Sequence, residues 1–445
     1  MNNNRHSAFG NIDWLTVLFY LLLVVFGWMT IYSAAYDEAR PNMFDFSREY
    51  GKQAIWIGIS LFLAVFTLYV EGDFFNKFAW AIYAFFIFLL VLVLLVGKEV
   101  NGAKAWFGVG DFGIQPSEFS KIGTGLLLAR YISTTGAKFK TWRTRLTAAG
   151  ILALPAALIL LQPDVGSLLT FVAFILAMYR EGLSGNVLII GLGAVVFGVL
   201  SIVSGASTID YPFAGEASGV WVLVIIVVIL SLIALGIIKY FVVPRNRKML
   251  YWIVGIAATA SSVFSLSVNY IVDKVLQDHH KTRIYVMLQL ELPPELQKKD
   301  ADYNSRMAKL TVGSGGLMGQ GYLKGPMTQN NYVPEQWTDF IFSAVAEEWG
   351  FIGSLIVIFL FVALIIRLIN LAERQRSQFS RVYGYCVASI LFLHLLINVG
   401  MVIGLAPIIG IPLPFFSYGG SSLMAFTILL FVMLRLDAER LTIFR

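Results

Sequence analysis

The chain has 445 residues, of which 58% are hydrophobic and 13% are charged, and its formal net charge at pH 7 is +6. With a mean hydropathy of +0.75, this composition excludes an ordinary soluble protein and indicates a polytopic membrane protein. The single cysteine, Cys386, excludes a disulfide framework, a CxxC pair and a cysteine-based zinc site. The four histidines, at positions 6, 279, 280 and 394, share no ligand spacing. We attribute the basic excess to membrane topology and expect no nucleic-acid partner.

Apolar runs near 20 residues predict an all-α polytopic bundle of about twelve transmembrane helices. Between the ninth and tenth runs lies one long polar stretch, 273–338. The predicted spans are 13–34, 53–70, 77–97, 116–133, 146–161, 164–180, 187–204, 219–240, 251–272, 339–368, 383–404 and 420–435.

Basic residues collect in alternate connections, as the positive-inside rule expects of cytoplasmic segments. With a cytoplasmic start, both termini lie in the cytoplasm and the stretch 273–338 lies outside. The basic residues that fall inside under this orientation are Arg5, Lys138, Lys140, Arg143, Arg145, Arg245, Arg247, Lys248, Arg374, Arg376, Arg381, Arg440 and Arg445.

The first polar segment that carries candidate functional residues is NGAKAWFGVGDFGIQPSEFSKI, residues 101–122. Pro116 suits the first turn of a helix, and Glu118 and Lys121 lie three residues apart on one helical face. An interfacial ion pair at a helix start explains these two residues as well as a functional role does. Ionisable residues within a membrane usually line a cavity, so both are candidate substrate-binding residues.

The second polar group is LLQPDVGSLL, residues 160–169, which interrupts an otherwise apolar region. A short turn between two helices explains Pro163 and Gly166 well. It explains the carboxylate of Asp164 less well, so a turn and a functional acid both remain open.

Acids and glycines recur in QKKDADYNSRMAKLTVGSGG, residues 297–316, and in VPEQWTDFIFSAVAEEWGFIG, residues 333–353. Asp339, Glu347 and Glu348 border or enter the next span, where a carboxylate costs about 2.5–3.5 kcal/mol on insertion scales. We therefore expect a compensating role. The glycines of 313–325 suit an anion-binding nest of backbone N–H groups, but the P-loop order GxxxxGK[ST] is absent.

The last group is NVGMVIGLAPIIGIPLPFFSYGGSSLMAF, residues 398–426, in which prolines and glycines must break a helix. Broken backbone at membrane depth is tolerated only where protein or a water-filled cavity satisfies it. A re-entrant segment that lines a pocket is therefore favoured over a simple loop.

Taken together, GIQPSEFSKI, QPDVGS, VGSGGLMGQGYLKG, PEQWTDFIFSAVAEEWGFIGS and NVGMVIGLAPIIGIPLPFFSYGGSS resemble the SEDS family of cell-wall polymerases. The motifs occur in the family's order and span nearly the whole chain. The phenylalanines of PLPFFSYGGSS and QPSEF resemble the rod-shape branch of the family more than its division branch, which stays the alternative.

The resemblance implies a peptidoglycan glycosyltransferase that polymerises lipid II during cell elongation, at the outer face of the bacterial cytoplasmic membrane. It implies sugar transfer with inversion and release of undecaprenyl diphosphate. It also implies a class B penicillin-binding protein as transpeptidase partner within the elongation machinery.

A SEDS-type core has ten helices, so the resemblance implies that two of the predicted spans form an inserted hairpin within 205–272. Two extra helices preserve the orientation of the chain after residue 272. The stretch 273–338 is then the large extracytoplasmic catalytic loop, outside the membrane where lipid II is presented.

The family's catalytic aspartate lies a few residues before a tyrosine that precedes the GSGG run. Tyr303 and Gly313 keep the family's spacing to each other, but the acid does not keep its spacing to Tyr303. A short deletion makes Asp300 the equivalent, and Asp302 is the alternative.

Two further departures from the family's motifs weaken the residue-by-residue transfer of family roles at these positions. The arginine before the loop tryptophan is Ala105 here, which leaves Lys104 as the nearest cation, and the usual histidine of the HTDFIF run is Trp337.

Inverting transfer needs one base to take the acceptor's hydroxyl proton, and the leaving diphosphate needs cations. Lys121, Arg283, Arg306 and Lys309 are the cations available. No cofactor is firmly implied, although a divalent cation, Mg²⁺ or Mn²⁺, at Asp300 would share this task. The resemblance adds Gln115, Asp164, Ser417, Tyr418 and Ser421 as substrate-binding residues, and Asp339, Glu347, Pro412, Pro414, Gly419 and Gly420 as motif residues.

Two other classes of function stay open on the residues alone. A lipid II flippase would use the same bundle, but it usually shows internal repeats, which the sequence lacks. A non-enzymatic scaffold for a transpeptidase would need no particular aspartate.

Overall fold

The computed structural model describes residues 11–37, 42–100, 103–109, 112–135, 139, 141–206, 208–211, 215–276, 278–288, 290 and 303–440. Its elements are α1 (Trp14–Ala34), α2 (Glu49–Tyr69), α3 (Gly72–Lys77), α4 (Ala79–Val96), β1 (Lys98–Val100), β2 (Ala103–Val109), β3 (Phe112–Ile114), α5 (Pro116–Thr135), α6 (Trp142–Leu160), α7 (Val165–Thr170), α8 (Ala173–Arg180), α9 (Gly185–Gly205), β4 (Thr208–Tyr211), β5 (Gly215–Ser218), α10 (Val220–Phe241), α11 (Pro244–Tyr270), a π-helical turn (Ile271–Val275), α12 (Asp278–Met287), α13 (Tyr303–Ser314), α14 (Pro326–Gln329), α15 (Ile341–Glu373), α16 (Gln378–Ile403) and α17 (Gly420–Ala438).

The chain divides into two compact units. Unit 1 combines the chain up to Ser184 with the chain from Asn304 onward, and unit 2 is Gly185–Tyr303. In unit 2, α9 packs against α11, where the Ser201 hydroxyl donates to the Ser265 carbonyl at 2.7 Å. The helices α10 and α11 also pack against each other.

Ten helices of the described chain are long and apolar enough to cross a membrane, which confirms the predicted all-α polytopic bundle. Two predicted spans differ from these ten. The span 116–133 is α5, a full helix that carries more polar residues, and the span 164–180 is divided into α7 and α8. The helix that contains the predicted span 251–272 begins earlier, at Pro244. Proline is tolerated there because its missing N–H is not needed in a first turn.

A small antiparallel sheet, in the order β1-β2-β3, joins α4 to α5. Ala105, at the position where the resemblance implies an arginine, is fully buried in this sheet. The ammonium of Lys104, the nearest cation, donates to the Leu95 carbonyl at 3.1 Å, so it is bound to its own chain.

Unit 1 has two distinct ends. We define the loop end by residues 103–109, 112–118, 304–340 and 404–420. We define the arginine end by its cations, which bind carboxylates and carbonyls near the other helix termini: Arg130, Arg180, Arg367, Arg374, Arg381, Arg435 and Arg440.

The buried carboxylate of Asp437 organises the arginine end. It accepts from Arg374 Nε at 2.8 Å and from Gln375 Nε2 at 2.7 Å, and it pairs with Arg440 at 3.0 Å. Arg374 also lies 3.7 Å from Asp13, at the start of α1. These bonds hold the start of α1, the end of α15 and the end of α17 together.

Asp13 makes this end sensitive to acid. Burial by itself would raise the pKa of Asp13, but hydrogen bonds from Arg367 and Thr16 outweigh burial and hold the pKa at about 2. A depressed pKa stabilises the fold above the ordinary value of 3.8, and this stabilisation is lost as pH falls through about 2.

We expect Asp13→Asn to lower the unfolding temperature by a few degrees at neutral pH and the deficit to shrink between pH 4 and pH 2. Thermal unfolding in detergent across this range measures both effects, with Asp73→Asn as a control, because the Asp73 side chain is 58% exposed. A deficit that is constant with pH would contradict the assignment.

Candidate functional site

An ion pair is buried at the loop end, in the first turns of α5. Lys121 Nζ donates to Glu118 Oε1 at 2.8 Å, and the two side chains are only 2% and 5% exposed. Such burial is incompatible with a surface pair that reaches the lipid headgroups. Glu118 Oε2 is buried and has no hydrogen-bond partner within the part of the chain that the structure describes.

Lys121 has two further neighbours. Its Nζ lies 3.1 Å from Nε2 of His394 on α16 and 5.0 Å from the ring centroid of Phe426 on α17. The three helices α5, α16 and α17 thus converge on one ammonium group. A charge that is buried and bound in this way is strongly fixed in position.

A second polar group joins the segment before α5 to the turn between α6 and α7. Gln115 Nε2 donates to Asp164 Oδ2 at 2.7 Å, and Asp164 Oδ1 accepts from the Ser167 N–H at 2.9 Å. Asp164 is therefore the N-cap of α7, which explains why an acid occupies this turn. Ser421 accepts from the Gln115 N–H at 3.0 Å and so ties α17 to the same group.

The glycine-rich run is inserted into a kink of α15. At Gly350 the backbone has φ 68°, a left-handed conformation that suits glycine, and α15 is interrupted there. Phe351 and Ile352 donate their N–H groups to the carbonyls of Gly316 and Leu317, at 2.9 and 3.2 Å.

Hydrogen bonds also run in the opposite direction, from the glycine-rich run to α15. The N–H groups of Gln320 and Gly321 donate to the carbonyls of Glu347 and Glu348, at 2.9 and 3.0 Å. Segment 316–321 thus replaces the two helical bonds that the kink removes. These two amides bind the protein's own carbonyls, so the prediction that the run forms an anion-binding nest is wrong at both positions.

Glu347 is fully buried and binds the chain around α14. Its carboxylate accepts from the N–H groups of Met327 and Thr328, at 2.9 and 2.8 Å, and from the Ser314 hydroxyl at 3.2 Å. The neighbouring Glu348 accepts from the Leu323 N–H at 3.2 Å and from the Ser33 hydroxyl. These two acids therefore anchor the loop to α15 and α1.

The segment 404–419 breaks the helical region between α16 and α17, as predicted. Ser417 donates to the Thr338 carbonyl at 2.7 Å, and the Tyr418 N–H donates to the Trp337 carbonyl at 2.9 Å. Gly419 caps α17 and donates its N–H to Gln53 Oε1 at 3.2 Å. Pro414 is buried, and a Cβ on Gly420 would lie 2.3 Å from the Trp56 ring.

Asn398 connects this segment to Asp339. Its Nδ2 donates to the carbonyls of Asp339 and Ile411, at 2.9 and 2.8 Å. The Asp339 carboxylate lies against Gly410, where a Cβ would be 3.2 Å from Oδ2. The broken backbone of 404–419 is thus satisfied by protein groups at the loop end.

The remaining predicted cations and acids differ in their exposure, and some lie outside the described residues. Lys309 on α13 is half-buried against Gly404, and Arg306 is exposed. Asp300 and Asp302 lie outside the described residues, as does the side chain of Arg283. Among the described residues, no three His, Cys, Asp or Glu side chains group closely enough to hold a metal ion.

Sequence reasoning missed His394, because it shared no ligand spacing with the other histidines. Its contacts join residues that are far apart in sequence: Lys121, 273 positions earlier, and Pro412, 18 positions later. An ionisable residue within an apolar span was the signal that could have found it.

The family model described as "Cell cycle protein", FtsW/RodA/SpoVE, matches residues 13–214 and 215–441. The chain is 32% identical to peptidoglycan glycosyltransferase RodA of Treponema pallidum, over 98% of this chain and 100% of that protein. It is 28% identical to peptidoglycan glycosyltransferase MrdB of Escherichia coli, over 93% of this chain and 90% of that protein.

Two solved structures have a similar fold. One is a chain from a peptidoglycan synthase complex that coordinates polymerization and crosslinking, with a TM-score of 0.64, 24% identity, and coverage of 96% of this chain and 98% of that one. The other is RodA of Thermus thermophilus, with a TM-score of 0.58, 23% identity, and coverage of 96% and 97%.

Proposed function

Because the chain belongs to the FtsW/RodA/SpoVE family, we propose that it is a peptidoglycan glycosyltransferase that polymerises lipid II during cell elongation. The observation that carries this proposal is the match to a RodA along 98% of the chain. The buried pair of Glu118 and Lys121 at the loop end supports it, because a transferase that releases a diphosphate needs a fixed cation.

Each group has one role in the proposed reaction. The Asp300 carboxylate takes the proton from the acceptor hydroxyl, whose oxygen attacks C1 of the donor sugar from the face opposite the diphosphate. The bond between C1 and the diphosphate oxygen breaks, and undecaprenyl diphosphate leaves. Lys121 and Lys309 stabilise the negative charge on the leaving group.

We also propose that the loop end faces outside and that both termini are cytoplasmic. The arginine end supports this orientation, because it collects the cations at the ends of α8, α15 and α17. The glycosyltransferase site then faces the side where lipid II is presented.

The proposed partner is the transpeptidase of the elongation machinery, a class B penicillin-binding protein. A protein of similar fold belongs to a synthase complex that coordinates polymerization and crosslinking, which supports such a pairing. Co-purification in mild detergent after native expression tests it, and recovery without any transpeptidase would count against it.

A divalent cation, Mg²⁺ or Mn²⁺, is proposed to bind at Asp300. The support is electrostatic: Glu118 offsets the charge of Lys121, whereas the leaving diphosphate carries several negative charges. EDTA is then expected to stop polymerisation, and either cation to restore it. Full activity in EDTA would exclude a loosely bound cation.

Purified protein with lipid II in nanodiscs or vesicles tests the function. Glycan polymer is the expected product. Translocation of lipid II without polymer would indicate a flippase, and neither activity would indicate a scaffold. A strain that lacks the chain then separates an elongation role from a division role by whether rod shape or septation fails.

Deletion of the inserted hairpin, with residues 204 and 273 joined by a short polar linker, is expected to leave measurable polymerisation. No family motif falls within 219–272, and the described chain places this hairpin in unit 2 with α9. We propose that it is an accessory insertion. Complete loss of activity in a deletion protein that still inserts and folds would show that the hairpin belongs to the catalytic architecture.

A further inference from the structure

His394 stands between the buried cation and the broken segment of the loop end. Its Nε2 lies 3.1 Å from Lys121 Nζ, and its Nδ1 lies 3.1 Å from the Pro412 carbonyl oxygen. The imidazole is fully buried, and its ring makes an edge contact with Phe426 at 4.8 Å. Both ring nitrogens are therefore occupied, each by a different part of the fold.

The two partners determine the form of the imidazole. A carbonyl oxygen only accepts, so Nδ1 must carry the proton and donate it to Pro412. An ammonium only donates, so Nε2 must present its lone pair to Lys121. The ion pair with Glu118 at 2.8 Å identifies Lys121 as the ammonium. His394 is thus neutral, with its proton on Nδ1.

We propose that His394 is a positioning residue for the glycosyltransferase reaction: anchored through Nδ1–H on the Pro412 carbonyl, it holds the Lys121 ammonium beside Glu118 through Nε2. This inference rests on the proposed function, in which Lys121 stabilises the charge of the leaving diphosphate. His394 itself reaches no reacting atom.

The contacts of Lys121 explain why such a residue is needed. The ammonium has three N–H donors; Glu118 takes one, His394 takes one, and the Phe426 ring lies 5.0 Å from Nζ. Without His394, the long lysine side chain would keep only Glu118 as a hydrogen-bond acceptor among these contacts. The hydrogen-bonded link from the Pro412 carbonyl through His394 to α5 would also be lost.

Two substitutions distinguish positioning from simple packing. In His394→Gln, the amide oxygen accepts from Lys121 while the amide N–H donates to Pro412, so both bonds persist. In His394→Leu, the volume is largely kept but both bonds are lost. We expect kcat for lipid II polymerisation to fall about 10- to 100-fold in the leucine variant, with KM changed little, and to stay near wild type in the glutamine variant.

The effect falls on kcat because negative charge on the diphosphate grows as its bond breaks. Equal loss in both variants, or kcat near wild type in His394→Leu, would overturn the proposal. Thermal unfolding of each variant is measured in parallel.

A second measurement does not depend on activity. The ¹⁵N spectrum of histidine-labelled wild type, assigned by the signal missing from His394→Gln, is expected to show a neutral imidazole protonated on Nδ1. Lys121→Met should shift its Nε2 signal.

A protonated ring, or a proton on Nε2, would refute the inference. If wild type makes no polymer, the proposed function fails, and the spectrum alone decides whether His394 holds Lys121.

Discussion

Asp300→Ala is expected to abolish lipid II polymerisation while expression and membrane insertion stay normal. Asp300 is the only base that our mechanism assigns to the acceptor hydroxyl, and without a base the oxygen stays a weak nucleophile. It precedes Tyr303, the first residue of α13, by three positions. The measurement is glycan length and yield from purified protein in lipid bilayers.

Asp300→Asn is the matched control for shape, because it keeps the volume and removes the base. It should be as inactive as the alanine variant. Asp302→Ala should retain activity. Normal polymerisation by Asp300→Ala together with an inactive Asp302→Ala would move the base two residues toward α13.

Lys121→Met is expected to lower polymerisation about 10²- to 10³-fold, the size of effect found when a preorganised charge-stabilising group is removed. It should also destabilise the fold by about 3–5 kcal/mol, since Glu118 is left as a buried carboxylate without its cation. Activity and thermal unfolding are measured on the same preparations.

The double variant Glu118→Gln/Lys121→Met separates these two effects. Neutralising both partners removes the unpaired charge, so stability should largely return while polymerisation stays low. If the double variant regained activity along with stability, the pair would serve only the fold, and the cation for the diphosphate would have to be sought elsewhere, with Lys309 as the next to test.

The helical bundle was predictable because a membrane requires every backbone group to be bonded within a helix, so apolar runs of sufficient length identify the spans. The pairing of Glu118 and Lys121 was predictable for a similar reason, since residues three apart share a helical face. Both are local consequences of helix geometry.

The role of Asp164 was not predictable in this way. One oxygen of its carboxylate caps α7, and the other accepts a hydrogen bond from Gln115. Only the fold brings Gln115 to within 2.7 Å of this second oxygen. His394 is a similar case, because its role depends on two partners from distant parts of the chain. The insertion of 316–321 into α15 consists of backbone bonds, which side-chain patterns do not report.

That insertion has a consequence for how the loop moves. Amides in a surface loop usually exchange with solvent quickly, but those of Gln320 and Gly321 are bonded to carbonyls of α15. They can exchange only when the two halves of α15 separate from the inserted segment. Their deuterium uptake would therefore report the local opening of a membrane helix, on the slow timescale of that opening. A substrate that stabilises the loop end would lower the exchange rates of both amides together.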